Sequence, residues 1–198
     1  MSALTVDHSA SGQEWDDLVR LWEETDWPEG CKVEIIEGII TVAPPPAYNH
    51  ARIVACMNRY LVPLLKEGWD LHQTVGIAVV ARGGYYIPDL IVIPDAALEG
   101  AGEDGEDYAP ASVAELVVEV TSPSNAKQDR VEKASGYARS GVPLYLLIDA
   151  HARSGPTVTL YGQPKGGLYQ VLETGKFGDP ITLPEPFSLT IDTGQFPT

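Results

Sequence analysis

An acidic residue stands within an apolar run near the middle of the chain. Glu119 interrupts Leu116–Val120, a segment that otherwise contains only leucine and valine. Such a run is typical of a strand that is buried on both faces. An ionised carboxylate in that setting costs several kcal/mol unless it is paired. We therefore expect Glu119 to contact a cation, a metal ion or a proton.

A second carboxylate occurs upstream in a similar setting. Asp89 follows Pro88 within Tyr85–Ile93, a run of otherwise apolar and aromatic residues. Because proline has no N–H to donate, strand pairing is interrupted where this carboxylate lies. Magnesium prefers oxygen ligands and is typically held by only one or two carboxylates. Two strand carboxylates, followed by Lys133 on the next helix, predict a hard-cation site for Mg²⁺ or Mn²⁺.

The segment around Glu119 predicts the element that positions these groups. After the first apolar run comes a turn rich in Ser, Pro and Asn, then a helical segment that ends at Gly141. A second apolar run, Val142–Ile148, ends on Asp149. Strand, turn, helix, glycine and strand form the pattern of a βαβ unit with parallel neighbouring strands.

The spacing within this helix assigns its two faces. Lys133 and Tyr137 are four residues apart and share a face with Asp129. Val131, Ala134 and Ala138 are expected on the opposite face, packed against the sheet. Apart from catalysis, Lys133 could be only the structural ion-pair partner of Glu119.

Other elements follow from local patterns. Cys31–Ala43 reads as a β-hairpin with its turn at Glu37–Gly38, and Glu34 within it faces either solvent or a cleft. Helices are expected from Gln13 and from about Tyr48, which places His50 in a first turn; there it serves the site or is a surface or capping residue. Trp69–Val80 predicts one long strand, and Gly83–Gly84 predicts a turn into the Asp89 strand. Asp95–Pro110 is an acidic connection that either folds over the cleft or is solvated.

The motifs, taken in order, resemble a known family. They are Pro88–Asp89, then Glu119-Val-Thr-Ser-Pro-Ser, then Glu132-Lys133 with Tyr137-Ala and Gly141-Val-Pro, then a strand that ends in Asp149. This order is similar to that of the Uma-two family, restriction-type endonucleases of the PD-(D/E)XK nuclease superfamily. The resemblance covers roughly residues 34–149. It implies an α/β (α+β) fold with a restriction-endonuclease-like mixed sheet flanked by helices.

The resemblance also assigns roles to residues. Asp89 and Glu119 match the two acids and would hold the metal, whereas Glu34, Asp89, Glu119 and Lys133 would form the catalytic set. His50 and Tyr137 would support that set from its periphery. In one respect the chain departs from the superfamily pattern. Thr121 stands two residues after Glu119, where a lysine is usual, so that Lys133 would have to replace this lysine in space.

Composition limits the class of protein. The chain has 198 residues, of which 44% are hydrophobic, which suits one domain with a substantial core. We expect a single domain over residues 1–198, with a loose tail at 1–12 and a β-rich flank at 150–198. No run has the length of a membrane span and no signal pattern is present. Cys31 and Cys56 read as reduced core thiols, which favours the cytoplasm.

The net charge opposes the nuclease reading. The 28 acidic residues exceed the 13 Lys and Arg, giving a formal net charge of -15. Phosphate binding usually draws on clustered basic residues, whereas Gly100–Tyr108 is an acidic, glycine-rich segment.

Two functions therefore remain open. One is a Mg²⁺-dependent endonuclease that hydrolyses DNA phosphodiester bonds. The other is a catalytically silent module with a nuclease fold that binds a protein partner. The C-terminal flank would either complete the sheet or make a subunit contact, and the second alternative would give a homodimer.

Overall fold

The computed structural model describes residues 12–79, 84–97 and 108–197. The predicted tail, apart from Gly12, lies outside these ranges, as do the predicted turn at Gly83 and most of the acidic segment Gly100–Tyr108. The helices are α1 (Gly12–Glu24), α2 (Tyr48–Leu61), a π-helical turn (Gln128–Lys133) and α3 (Ala134–Arg139), and short 3₁₀ turns connect other elements. The strands are β1 (Lys32–Ile36), β2 (Ile39–Ala43), β3 (Trp69–His72), β4 (Ile77–Val79), β5 (Gly84–Tyr86), β6 (Leu90–Pro94), β7 (Ala109–Pro110), β8 (Leu116–Val120), β9 (Leu144–Asp149), β10 (Thr157–Lys165), β11 (Leu168–Lys176), β12 (Pro180–Leu183) and β13 (Leu189–Asp192).

The larger sheet is mixed and has six strands in the order β11-β10-β9-β8-β6-β3. Strands β8 and β9 are parallel and place Glu119 opposite Leu147, whereas β6 pairs antiparallel to β8. The helical segment between β8 and β9 makes this pair a βαβ unit, as the sequence predicts. Mixed pairing around one parallel pair agrees with the expected mixed α/β fold.

Both faces of the larger sheet are covered. Alternate residues of its strands pack against α2 and the β12–β13 hairpin on one face. The intervening residues pack against Tyr137 of α3 and against the smaller sheet on the other face. Burial on both faces explains why β8 and β9 read as apolar runs rather than as alternating patterns.

The smaller sheet has the order β2-β1-β5-β4-β7. Its β1–β2 hairpin is the one predicted from Cys31–Ala43. Glu37 and Gly38 form the turn with φ angles of 52° and 77°, which are the left-handed values that a tight hairpin turn requires. This sheet covers the face of the larger sheet on which Glu119 lies.

The prediction of one long strand over Trp69–Val80 is wrong. The chain leaves the extended conformation between His72 and Ile77, where Thr74 adopts a φ of 58°. Strand β3 then belongs to the larger sheet and β4 to the smaller one. Gly76 passes so close to the Tyr108 ring that a Cβ would lie 2.1 Å from it, and a side chain there would collide.

The predicted packing side of the βαβ helix is also partly wrong. Ala138 is buried, but Val131 is 58% exposed, and Asp129 and Lys133 are fully buried instead. The reason is the π-helical turn, whose i→i+5 hydrogen bonding changes the side-chain phase relative to an α-helix.

The C-terminal flank forms the β-hairpins that the sequence predicts. Strands β10 and β11 extend the larger sheet, and β12 and β13 form a separate two-stranded sheet against it. The flank therefore completes the sheet. None of the described helices is long and apolar enough to cross a membrane.

Candidate active site

Glu119 lies at the penultimate position of β8 and is fully buried. Its Oε1 accepts hydrogen bonds from Lys133 Nζ at 2.9 Å and from the Tyr137 hydroxyl at 2.7 Å. Its Oε2 is buried and has no hydrogen-bond partner among the described residues. One oxygen is thus fixed by two donors and the other is left as an acceptor.

Glu34 reaches the same lysine from the smaller sheet. Its Oε1 lies 2.7 Å from Lys133 Nζ and accepts a hydrogen bond from the Ile87 backbone N–H at 2.6 Å. Of the two orientations open from the sequence, the carboxylate therefore takes the one in the cleft. The layer that covers Glu119 thereby supplies a second carboxylate to the buried ammonium.

Asp89 lies between β5 and β6, where Pro88 interrupts the strand. Leu90 pairs with Val118, so that Asp89 comes next to the end of β8, and its Oδ2 accepts the Val120 N–H at 2.8 Å. The same oxygen is 2.9 Å from His50 Nε2. Lys32 Nζ donates to Oδ1 at 2.8 Å. Asp89 therefore forms a neighbouring group with one backbone and two side-chain nitrogen donors of its own.

Burial and charge set the protonation states at the centre of the site. Complete burial favours the neutral amine of Lys133, but Glu119 and Glu34 outweigh it and raise the lysine pKa well above its usual value. Burial raises the pKa of Glu119, against the opposing effect of Lys133. Burial also disfavours the Asp89 carboxylate, yet the hydrogen bond from His50 and the charge of Lys32 lower its pKa overall. Lys133 is therefore a fixed cation, and Asp89 is a fixed anion.

Sequence reasoning did not assign Asp129 to the site. It is fully buried, 3.7 Å from Lys133 Nζ, and neither carboxylate oxygen has a hydrogen-bond partner in the described part of the chain. Burial, followed by repulsion from Glu119, raises its pKa well above the usual value. The signal was present, since Asp129 shares a helix face with Lys133, but nothing in the spacing indicated burial.

Lys32 is the second residue that sequence reasoning missed. It lies two positions before Glu34 on β1, and residues at this spacing share a strand face. The sequence left open whether Glu34 faces solvent or the cleft. The shared face therefore could not place Lys32 in the cleft either.

Thr121, which stands where the superfamily pattern has a lysine, contributes to a different cluster. Its hydroxyl donates to Asp149 Oδ1 at 3.0 Å, and Arg130 donates to both oxygens of Asp149 at 2.7 and 2.8 Å. This cluster joins the ends of β8 and β9 to the π-helical turn. Thr121 thus helps to hold the turn that carries Lys133.

The donor set can accommodate a hard dication. A carboxylate offers about four lone-pair directions, and Asp89 uses three for Lys32, His50 and Val120, while Glu119 Oε2 uses none. No cluster of three or more His, Cys, Asp or Glu suited to a metal occurs within the described ranges. Magnesium needs only one or two carboxylates, with waters or phosphate oxygens as its other ligands. Glu119 Oε2 and the remaining lone pair of Asp89 are therefore oxygens that could serve a hard cation as ligands.

Comparison with known proteins agrees with the fold and the motifs. A crystal structure described as a putative nuclease belonging to DUF820, from Anabaena variabilis ATCC 29413, is similar over 92% of this chain and 97% of that chain, with a TM-score of 0.64 and 19% identity. That likeness shows a shared nuclease-type fold. No curated protein matches. The model of the Uma2 family, described as "Putative restriction endonuclease", matches residues 15–194. The chain therefore belongs to the Uma2 family.

Proposed function

We propose that the protein is a Mg²⁺-dependent endonuclease that hydrolyses phosphodiester bonds in DNA. The observation that carries the proposal is the buried Lys133 ammonium, held 2.7 Å from Glu34 and 2.9 Å from Glu119 beside the Asp89 group. The family to which the chain belongs is described as "Putative restriction endonuclease". The unpartnered Glu119 oxygen gives this cluster the capacity to bind a further cation.

Asp89 and Glu119 are the proposed ligands for Mg²⁺ or Mn²⁺. A divalent ion, when bound, acidifies a water and neutralises charge on the phosphate. The hydrogen bonds from Lys133 and Tyr137 occupy Glu119 Oε1 and fix the carboxylate. Oε2 is thereby left as the proposed oxygen ligand for the metal. His50 and Lys32 hold the Asp89 carboxylate in its ionised form, which is the form that binds a cation.

Lys133 is proposed to act as a cation and not as a base. Its raised pKa, which Glu119 and Glu34 maintain against burial, keeps the ammonium protonated at neutral pH. From this position it would orient the attacking water or stabilise charge on the phosphate oxygens. Glu34 and Asp129 then act as positioning groups, because their carboxylate oxygens lie 2.7 and 3.7 Å from the ammonium.

Two observations favour the alternative, a catalytically silent module that binds a protein partner. Every carboxylate around Lys133 is compatible with a purely structural ion-pair network, and the chain carries a net charge of -15. A nucleic acid would have to approach against that charge, so that a dication becomes more important to binding. A homodimer and a cytoplasmic location stay predictions.

The deciding experiment compares cleavage and metal binding in one set of proteins. Wild type and Glu119→Gln are incubated with supercoiled plasmid, linear duplex, single-stranded DNA and RNA, in Mg²⁺, Mn²⁺ or EDTA. We expect DNA cleavage by the wild type with either metal, and none in EDTA or with the variant. Calorimetric titration of each ion into both proteins measures metal binding, which the nuclease requires and the silent module does not. Wild type that binds neither ion and cuts no substrate would exclude the nuclease and leave the silent module.

A further inference from the structure

A cavity of about 370 Å³ lies beside Asp89, between α2 and the loops that precede β1 and β6, and neither Lys133 nor Glu119 lines it. Lys32, His50 and Asp89 form its ionisable part. The proposed cleavage chemistry uses Asp89 but does not use this space. Ligand sites range from about 300 to about 1,000 Å³, so that this cavity is at the small end of the range. It therefore suits one small group and not a base pair.

The walls combine flat apolar surfaces with amide groups. Ala51, Val54 and Ala55 of α2 face the cavity together with Ile87 and Pro88. Asn58 and Gln73 add side-chain amides. The Asn58 amide donates to the Val54 carbonyl at 3.1 Å, which leaves its oxygen as an acceptor. Apolar walls for a ring face and amides for a ring edge are the surroundings that a nucleobase taken out of a stack requires.

The dimensions and charges agree with one nucleotide. His50 and Asn58 both line the cavity and are eight residues apart on α2, a rise of about 12 Å along the helix. Lys32 and His50 lie at the Asp89 end, where the proposed metal would bring a phosphate. A phosphate at that end leaves the Ala51–Ala55 surface for its base.

We propose that this cavity receives one nucleobase of the substrate, from the nucleotide next to the phosphate that is cleaved. The inference rests on the proposed nuclease function and adds a specificity site to it. Substrate would then have to present an unpaired or extruded base, which favours single strands, mismatches and distorted duplexes over regular duplex.

The test uses base binding as a readout that does not require cleavage. Deoxynucleoside 5′-monophosphates and deoxyribose 5-phosphate are titrated calorimetrically into the full chain with Mg²⁺ present. Ala55→Trp fills the cavity from an exposed helix position, and Val62→Trp is the matched control, because Val62 is 55% exposed and does not line the cavity. Ala51→Trp provides a second filling variant, and circular dichroism verifies that each protein is folded.

We expect the nucleotides to bind more tightly than deoxyribose 5-phosphate, by about tenfold or more, because contact with a base face adds to phosphate binding. Both filling variants should lose that difference, whereas Val62→Trp should keep it. Equal binding of deoxyribose 5-phosphate and nucleotides, or full retention in both folded filling variants, would overturn the base site.

Failure of this inference can be told apart from failure of the proposed function. Wild type that cuts DNA but shows no preference for nucleotides would remove the base site and leave the nuclease intact. Wild type that binds nucleotides with the expected pattern but cuts no nucleic acid would support the site and remove the nuclease.

Discussion

Replacement of Lys133 by methionine tests the central cation of the site. The Lys133 side chain is fully buried, and its Nζ lies 2.7 Å from Glu34 and 2.9 Å from Glu119. Methionine fills similar space without a charge. Lys133→Met therefore leaves two buried carboxylates near each other without the ammonium that separates them.

The expected loss can be worked out from this geometry. Removal of one partner of a buried ion pair costs about 3–5 kcal/mol of unfolding free energy. For domains of this size, each kcal/mol corresponds to roughly 2–4 °C in Tm, so that the variant should melt about 6–20 °C below the wild type. Acidic solution should reduce the difference, because burial raises the pKa of Glu119 and a protonated Glu119 no longer needs the cation.

Thermal unfolding in EDTA, followed by circular dichroism, measures this loss. Lys127→Met is the control, because Lys127 is 82% exposed and lies 3.1 Å from Glu132, and exposed pairs contribute only about 0–1 kcal/mol. Addition of Glu119→Gln to Lys133→Met should restore part of the stability by removing one unpaired charge. If Lys133→Met melts as high as the Lys127→Met control, the electrostatic reasoning is refuted.

Three further outcomes are expected. Mg²⁺ or Mn²⁺ should raise the Tm of the wild type and raise that of Glu119→Gln much less, because a bound dication relieves repulsion between carboxylates. An equal rise in both proteins would mean that the ions act elsewhere, for example on the acidic segment at residues 103–107. Burial raises the pKa of Asp129, so the contribution of Asp129 to stability is present below about pH 4, the pKa of an unfolded aspartate, and is lost as pH rises above it. Asp129→Asn cannot ionise, and urea unfolding should show its stability relative to the wild type increasing with pH; a constant difference would contradict the raised pKa. Hydrogen bonds from Arg130 and Thr121 outweigh burial and lower the pKa of Asp149, so the stability that Asp149 contributes is present above about pH 4 and lost in acid. Asp149→Asn should therefore lower the free energy of unfolding by about 1.5–3 kcal/mol at neutral pH and by much less below about pH 3. A loss of stability that is independent of pH would count against this account.

The βαβ unit was predictable because its pattern has one cause. Strands β8 and β9 are buried on both faces, and burial of that kind leaves a continuous apolar run whichever neighbours supply it. A carboxylate in such a run is conspicuous, and Glu119 could therefore be selected without knowledge of the partners. The glycine at Gly141, with a φ of 80°, likewise marks the end of the helix by a local requirement.

Glu34 could not be placed from the sequence for the opposite reason. Alternation identifies the buried face of a strand only when the other face meets solvent. Strand β1 has four of its five residues buried, including Val33, Glu34 and Ile35, because α1 and the larger sheet cover its two faces. The assignment of Glu34, and with it that of Lys32, depends on tertiary packing that no local pattern contains.

Asp129 was missed because the helix is not regular at that point. An α-helical reading puts Val131 on the packing side, whereas the π-helical turn Gln128–Lys133 leaves it 58% exposed. Such turns are rare and often occur at functional sites, and the sequence contains no marker for this one. Its consequence is that two charged side chains, Asp129 and Lys133, enter the core from the same turn.

The departure at Thr121 and the π-helical turn are connected. A lysine two residues after Glu119 would lie on the same face and reach the carboxylate from the end of β8. Here that position holds Thr121, which bonds Asp149, and Asp149 in turn anchors Arg130 in the turn that carries Lys133. The ammonium therefore reaches Glu119 from the helix. Because the same contacts stabilise the fold and set the lysine charge, the structural and catalytic interpretations of Lys133 do not exclude each other. Only the comparison of cleavage with stability in Lys133→Met and Lys127→Met can separate their magnitudes.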